Sequence, residues 1–141
     1  AAISKKQIDL WHKEGVISYL GHTEDVIPYL RSADCVVLPS YREGTPRSLL
    51  EAAAIGRTIV TTDTVGCRET VVDGESGFLC KVRDAQDLGE KMRRVLTLSF
   101  EERTTMGLMG RKYMENHFDE KIVLNQYFCA INKVWARKRS N

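Results

Sequence analysis

The sequence predicts an α/β protein with a Rossmann-like, doubly wound parallel sheet that is followed by a helical tail. Two apolar runs, Cys35–Leu38 and Thr58–Thr62, lack the alternation of a half-exposed strand. Continuous runs of this kind are typical of parallel strands that are covered on both faces. A helical stretch over residues 46–55 lies between them, so the order is strand, helix, strand.

Length and composition fit one folded domain. The 141 residues are 43% hydrophobic and 28% charged, and the formal net charge is +2. This length suffices to bury a core, and the composition argues against disorder. A near-balanced charge lacks the basic face of a nucleic-acid-binding protein, so we expect no nucleic-acid partner. We expect one domain over residues 1–141, with the α/β layer in 1–82 and the helical tail in 83–141.

The first elements are predicted from capping signals. Ser4 and Gln7 have the spacing of a capping box before a first helix, which Gly15 ends. The apolar residues 16–20 then predict a short strand. Thr23 is the expected N-cap of a second, short helix that leads into the first buried strand.

The later elements follow from turn residues and further caps. Residues 78–82 predict a third strand after a turn at Asp73. Asp84, Ser99 and Asp119 are the expected N-caps of three helices that form the tail.

The cysteine pattern and the lack of a recognisable targeting signal predict a cytoplasmic protein. The four cysteines form no C-x-x-C pair, and a domain with its own core rarely needs disulfides. No apolar run is long enough to span a bilayer, and the first residues do not have the pattern of a signal peptide. The chain begins at Ala1 without a methionine, so we expect it to be a piece of a larger protein.

The loop after the first buried strand carries the main candidate site, because ligands of open parallel sheets bind beyond the carboxyl ends of the strands. Thr45 and Pro46 are expected as the N-cap and the first residue of the next helix. Free backbone N–H groups from about Gly44 to Ser48 would then suit a phosphate. Gly44 would let the backbone approach a ligand closely. A plain strand-to-helix turn is the alternative at this point.

Two carboxylates flank this helix start. Glu51 is the charged residue between Ser48 and Ile55, and a buried carboxylate requires hydrogen-bond donors. The two adjacent hydroxyls of a ribose would supply them, whereas the alternative is a weak surface pair with Arg47. Glu43, at the tip of the loop, either accepts from the hydroxyls of a second sugar or is solvated.

The arrangement of these residues resembles the signature of a known enzyme family. Glu43 and Glu51 lie within the pattern Pro-Ser-x-x-Glu-Gly-x-Pro-x-x-x-Leu-Glu-Ala. This pattern is similar to that of the retaining glycosyltransferases of family four, the group 1 type, which have the two-domain GT-B fold. The resemblance extends over about residues 16–82 and favours the branch that builds bacterial surface polysaccharides and lipid-linked oligosaccharides.

The resemblance implies a binding site for a nucleotide-sugar donor. Glu51 would bind the ribose, and Glu43 would bind a hydroxyl of the transferred sugar, which makes Glu43 the expected catalytic residue. Backbone groups at the helix start would line the diphosphate, Gly66 would border the donor, and Gly21 and His22 would lie at the base. The implied donor-binding residues are Glu51, Gly44, Thr45, Arg47, Ser48, Gly66, Gly21 and His22. No metal and no cofactor is implied, and the three histidines are interpreted as surface or helix-end residues.

Two parts of the family pattern are missing from this chain. The family holds the donor phosphates with an Arg and a Lys from an upstream loop, and it has a complete N-terminal acceptor domain. We therefore expect a donor-binding part that pairs with the acceptor domain of the same full-length chain and transfers no sugar alone. The expected donor is a UDP-hexose or a UDP-N-acetylhexosamine. The alternative is a non-transferring nucleotide-sugar-binding or epimerase-like protein on the same fold.

The last helix has two interpretations. It carries apolar residues such as Tyr127 and Ile131, with Lys133 and the basic run Arg137, Lys138 and Arg139 near its end. We interpret it as packed against the core, with the cations favourably placed at its C-terminus. The alternative is a basic amphipathic helix in peripheral contact with the inner face of a membrane.

Overall fold

The structure, a computed structural model, describes residues 3–139, with side chains described up to residue 135. Six α-helices and three β-strands are found in these residues, together with a 3₁₀ turn at Arg68–Thr70. The strands are β1 (Cys35–Leu38), β2 (Thr58–Thr62) and β3 (Gly77–Cys80). The helices are α1 (Lys5–Lys13), α2 (Ile27–Ser32), α3 (Arg47–Ala54), α4 (Ala85–Thr97), α5 (Phe100–His117) and α6 (Glu120–Arg139).

The three strands form a parallel sheet in the order β1-β2-β3. Val37 of β1 lies beside Val60 of β2, which in turn lies beside Phe78 of β3. All five residues of β2 are buried, whereas β1 is half-buried along its length. The expectation of a parallel sheet built from continuous apolar runs is confirmed.

Helices cover both faces of this sheet. Adjacent residues of a strand point to opposite faces, and Ile59 and Val60 of β2 accordingly belong to different clusters. Ile59 packs with Leu49 of α3 and Met114 of α5. On the other face, Val60 packs with Phe78 of β3 and with Val95 of α4. The doubly wound α/β fold class is therefore confirmed.

The expected strand over residues 16–20 does not form. Val16, Tyr19 and Leu20 are all more than half exposed, and the described sheet consists of β1, β2 and β3 alone. A strand is held by hydrogen bonds to a neighbouring strand, and this segment has no such neighbour among the described residues.

The start of α2 also differs from the expectation. Thr23 is not its N-cap, since the helix begins after Val26. The hydroxyl of Thr23 accepts from the Asp25 N–H (3.2 Å), and the Asp25 carboxylate accepts from the Ile27 N–H (3.0 Å). The N-cap is Val26, whose side chain cannot cap the helix, and the Asp25 carboxylate binds the N–H of the first helical residue instead.

The tail begins where β3 ends. The strand stops at Cys80 instead of residue 82, because the next N–H, that of Lys81, donates to Asp87 Oδ2 (2.7 Å). The expected N-caps of α4 and α5 are confirmed: Asp84 accepts from the Asp87 N–H, and Ser99 forms a complete capping box. At the start of α6, Asp119 Oδ1 accepts from the Lys121 N–H (2.8 Å).

The interpretation of α6 as a core-packed helix is wrong. Tyr127, Phe128, Ile131 and Val134 are 52–66% exposed. The apolar side chains of α6 therefore form a surface rather than a core. The basic run Arg137, Lys138 and Arg139 lies outside the described side chains. Among the described residues, no helix combines the length and the apolar character needed to cross a bilayer.

Candidate nucleotide-sugar site

The candidate site lies where β1 and β2 end. Ser40 and Glu43 belong to the loop that follows β1, and threonines from β2 and the next loop fasten this loop in place. Each threonine hydroxyl donates to a backbone carbonyl of β1 or its loop: Thr61 to Leu38 (2.8 Å), Thr62 to Ser40, and Thr64 to Tyr41 (3.4 Å). The loop that carries the first acidic residue of the pattern is therefore bound to β2 by side-chain hydrogen bonds.

The start of α3 differs from the expectation by one residue. Pro46, not Thr45, is the N-cap, because its carbonyl accepts the first helical hydrogen bonds, from the Leu49 and Leu50 N–H groups (3.1 and 3.2 Å). A proline side chain has no acceptor, so it cannot cap the helix. Among the described residues, the N–H groups of Arg47 and Ser48 have no hydrogen-bond partner.

The positive end of the α3 dipole coincides with these unpaired N–H groups. Such a helix start favours an anion. The expected phosphate-binding backbone from Gly44 to Ser48 includes these two N–H groups and stays a prediction. Thr45 and Gly44 are exposed in the loop in front of it.

Gly66 brings the loop that follows β2 against the loop that follows β1, at Glu43 and Gly44. Its φ is +86°, and a Cβ at this position would lie 2.0 Å from the Gly44 carbonyl oxygen and 2.7 Å from that of Glu43. A side chain is therefore excluded by conformation and by space. The two loops that the sequence singled out are in direct backbone contact.

Glu69 holds the loop that contains Gly66 in place. The sequence alone predicts no role for Glu69. Its Oε2 accepts from the Gly66 N–H, so Glu69, in the 3₁₀ turn at Arg68–Thr70, is tied to the residue two positions before that turn. The acidic residue three positions after a glycine was the available signal for this role. Thr61 and Thr62 gave no comparable signal, because their partners lie more than twenty residues away.

Glu43 is exposed at the tip of its loop and is oriented by a neighbour. Ser40 Oγ donates to Glu43 Oε1 at 2.8 Å. Among the described residues, no second donor reaches the carboxylate, so it retains acceptor capacity toward a ligand. This arrangement suits a carboxylate that binds a hydroxyl.

Glu51 is half-buried in α3, one turn beyond the unpaired N–H groups. In the described part of the chain, its side chain forms no hydrogen bond and no ion pair, and the alternative pair with Arg47 is absent. A half-buried carboxylate without a protein partner is costly unless water or a ligand supplies donors. Glu51 is thus available to a polar ligand.

The placement of Gly21 and His22 at the base of a donor stays a prediction. Both residues are exposed, and Gly21 has a φ of +76°. No hydrogen bond among the described residues links them to the loops at the strand ends.

The other two histidines have partners within the fold. His12 Nδ1 accepts from the Tyr19 N–H (3.1 Å), and the His117 ring stacks on Tyr113 at 4.1 Å between centroids. The described residues contain no group of three or more His, Cys, Asp or Glu side chains arranged for a metal ion.

A parallel sheet covered on both faces, with its polar loops at the carboxyl ends of the strands, defines a doubly wound α/β domain. It is the type found in glycosyltransferases of the GT-B fold. The profile described as "Glycosyl transferases group 1" matches residues 2–98. The chain belongs to this family.

Three comparisons with individual proteins agree. The chain is 35% identical over 121 residues to the N,N'-diacetylbacillosaminyl-diphospho-undecaprenol alpha-1,3-N-acetylgalactosaminyltransferase of Campylobacter jejuni, covering 85% of the chain and 31% of that protein. It is 33% identical to the capsular polysaccharide biosynthesis glycosyltransferase CapM of Staphylococcus aureus, covering 79% of the chain and 29% of that protein. The Anabaena protein Alr3699/HepE, solved in complex with UDP, has a TM-score of 0.80 at 22% identity over 91% of this chain and 35% of its own. This last likeness shows a shared fold.

The chain spans about a third of the length of the curated relatives that it matches.

Proposed function

We propose that this chain is the donor-binding part of a retaining glycosyltransferase that moves a sugar from a UDP-hexose or UDP-N-acetylhexosamine to a polysaccharide or lipid-linked acceptor. The observation that carries the proposal is Glu51, a half-buried carboxylate without a protein partner, one turn beyond the uncapped start of α3. The names of the Campylobacter and Staphylococcus relatives support the acceptor class. The UDP in the Anabaena structure supports the nucleotide.

Each proposed contact uses a group that the fold leaves available. The Arg47 and Ser48 N–H groups donate to the diphosphate, and the α3 dipole favours its negative charge. Glu51 accepts from the two ribose hydroxyls. Glu43, oriented by Ser40, accepts from a hydroxyl of the sugar.

In the proposed reaction, the acceptor hydroxyl attacks the anomeric carbon from the side on which the diphosphate leaves. The bond between that carbon and the diphosphate oxygen breaks as the bond to the acceptor oxygen forms. The acceptor proton passes to the departing diphosphate, so the anomeric configuration is retained and no protein nucleophile takes part. The N–H groups at the α3 start contribute by stabilising the charge that develops on the leaving group.

A second, acceptor-binding domain is part of the proposal, and the chain alone is proposed to be inactive. The exposed apolar face of α6 supports a partner there, because apolar faces of this kind mark interaction sites. The alternative is that a membrane surface covers this face of α6, which would also be consistent with a lipid-linked acceptor.

We propose a cytoplasmic location, which the thiols support. All four cysteines are free. Burial raises the pKa of the Cys35 thiol to about 11 and also raises that of Cys80, so both remain protonated and unreactive at neutral pH. Buried free thiols are typical of proteins from a reducing compartment.

Titration of UDP into the chain by calorimetry tests the proposed site. Glu51→Gln keeps the size of the side chain but removes its charge, and we expect it to weaken UDP binding by about tenfold or more. Glu90→Gln, on the exposed side of α4, is the matched control and should bind UDP as the parent does.

The outcome that contradicts the ribose assignment is equal UDP affinity, within twofold, of the parent and the Glu51→Gln variant when circular dichroism shows both to be folded. Weaker binding of the Glu90→Gln control to the same degree would point to a general charge effect and would also count against it.

A further inference from the structure

A second polar cavity lies at the opposite end of the sheet from the candidate donor site. It has a volume of about 280 Å³ and opens where β2 begins, beside Asp34, Arg57 and Thr58 and the first turns of α5. The donor loops leave the sheet at the carboxyl ends of the strands, so this cavity has no wall in common with them. Its chemistry is set by two arginines, Arg57 and Arg103.

Arg57 has an unmet hydrogen-bond donor. Its Nη1 donates to the carbonyl of Ala33, the C-cap of α2, at 3.3 Å. Its Nε is buried, and in the described part of the chain this nitrogen has no hydrogen-bond partner. A buried donor in a folded protein almost always has an acceptor, supplied by protein, water or a ligand.

Arg103 is held in a similar way and also keeps donors. Its Nη1 donates to the carbonyl of Leu98, the C-cap of α4 (2.5 Å). Its ion pair with Asp34 is long, at 3.6 Å, and the Asp34 side chain is 77% exposed. A guanidinium carries five N–H groups, so both arginines keep donors beyond those that cap the helices.

The cavity has one wall formed by a close backbone contact and another that is apolar. A Cβ on Gly107 would lie 1.9 Å from the Gly56 carbonyl oxygen, so α5 is in backbone contact with the turn that carries Arg57. Phe100 (77% exposed) and Leu108 (57% exposed) form an apolar wall of the same cavity.

We propose that this cavity binds a small organic phosphate, a phosphate monoester with an apolar or aromatic group. Two guanidiniums against one carboxylate leave an excess positive charge, and a phosphate presents acceptors in the geometry that guanidiniums match. The guanidinium N–H groups of Arg57 and Arg103 that do not cap the helices supply the donors. Phe100 and Leu108 account for the volume beyond that of a phosphate group.

Phenyl phosphate is the probe for the test, titrated into the ¹⁵N-labelled chain and followed by amide chemical shifts. We expect shifts at Thr58, Phe100 and Thr104, and weaker binding of inorganic phosphate at the same residues. Arg57→Lys keeps the positive charge but removes the planar guanidinium with its several N–H donors, and it should weaken phenyl phosphate binding by about tenfold. Arg111→Lys, on the exposed side of α5 and paired with Glu115, is the matched control and should not change it.

The proposal is overturned if phenyl phosphate shifts only the amides at the α3 start, such as Ser48, or if Arg57→Lys and Arg111→Lys bind it equally well. If inorganic phosphate binds as tightly as phenyl phosphate, the inference that the ligand carries an apolar or aromatic group is overturned. An Arg57→Lys variant that fails to fold is replaced by Thr104→Glu, which places a carboxylate at the rim of the cavity, where it repels a phosphate. This variant should abolish the shifts at Thr58 and leave UDP binding unchanged, and retention of the Thr58 shifts would contradict the proposal.

Discussion

Glu51 and Glu69 are acidic residues with opposite relations to the protein around them. Glu69 accepts from the Gly66 N–H and so holds a loop in place, whereas Glu51 has no hydrogen-bond or ion-pair partner among the described residues. The difference separates a structural carboxylate from one that is available to a ligand. A sequence cannot make this distinction alone, because the partner of each carboxylate depends on how the loops fold.

Among the residues of the candidate site, Gly66 is the one where the addition of a single methyl group should lower the stability of the fold most. We expect Gly66→Ala to lower the free energy of unfolding by at least about 2 kcal/mol, because its φ is +86° and its Cβ would overlap the Gly44 carbonyl. Gly74→Ala is the matched control. Gly74 also has a positive φ, of +78°, but nothing lies within 4 Å of its Cβ position.

Chemical denaturation of the parent and both variants measures the difference. The Gly74→Ala variant should lose only the conformational cost, about 1 kcal/mol. Equal losses in the two variants would mean that the close approach of the Gly66 and Gly44 loops does not exist in solution.

At the scale of elements, sequence signals confined to a few neighbouring residues predicted the strands and helix caps correctly. The sequence did not show which strands would pair with each other. Cys35–Leu38 and Thr58–Thr62 were predicted with the observed bounds, because a continuous β-branched run has few alternatives to a buried strand. Residues 16–20 have a similar composition but no neighbouring strand in the described sheet. Whether a neighbour exists is a property of the fold, which local composition does not carry.

The same limit applies to helices and to the site. The capping box at Ser99 was predicted because its two hydrogen bonds lie within four residues. The apolar periodicity of α6 was also read correctly, but periodicity does not say what covers the face. At the site, Glu43 and Glu51 follow from spacing, whereas the threonines that fasten their loop do not.

The start of α5 offers a prediction with a pH dependence. The backbone N–H of Ser99 donates to Glu102, and this bond, together with one from the Ser99 side chain, lowers the pKa of the Glu102 carboxyl. A carboxyl whose pKa is lower in the folded than in the unfolded chain stabilises the protein above the unfolded value, and this stabilisation is lost as the pH falls through the folded value. We therefore expect Glu102→Ala to be less stable than the parent near neutral pH, with a gap that narrows in acid.

Thermal or urea unfolding at several pH values between about 3 and 7 checks this expectation. Ser99→Ala removes the other half of the capping box and should cost about 1 kcal/mol near neutral pH. A gap between the parent and Glu102→Ala that stays constant as the solution is acidified would contradict the assignment.

At the scale of the whole molecule, stability comes from the two clusters on either side of β2, and α6 contributes little to them. Val95 is 1% exposed in the cluster between α4 and the sheet, whereas Ile131 of α6 is 52% exposed. We expect Val95→Ala to cost about 2 kcal/mol of unfolding free energy. Ile131→Asp should change it by less than about 0.5 kcal/mol.

Urea denaturation of this chain compares the two variants. A large loss of stability in Ile131→Asp would show that α6 packs on the domain in solution. In a longer protein with an acceptor domain, the same substitution should instead weaken the contact between the domains, which is measured by their co-purification when they are expressed separately.

The contact between Gly66 and the Glu43–Gly44 backbone has a mechanical consequence. Because no space separates the two loops, neither can move toward the other without displacing it. We expect a ligand that pushes the Glu43 loop toward Gly66 to displace Gly66 as well, and the Gly66–Glu69 hydrogen bond carries that displacement to the turn at Arg68–Thr70. Compression of one loop is therefore transmitted to the other through backbone atoms alone, without any side chain between them.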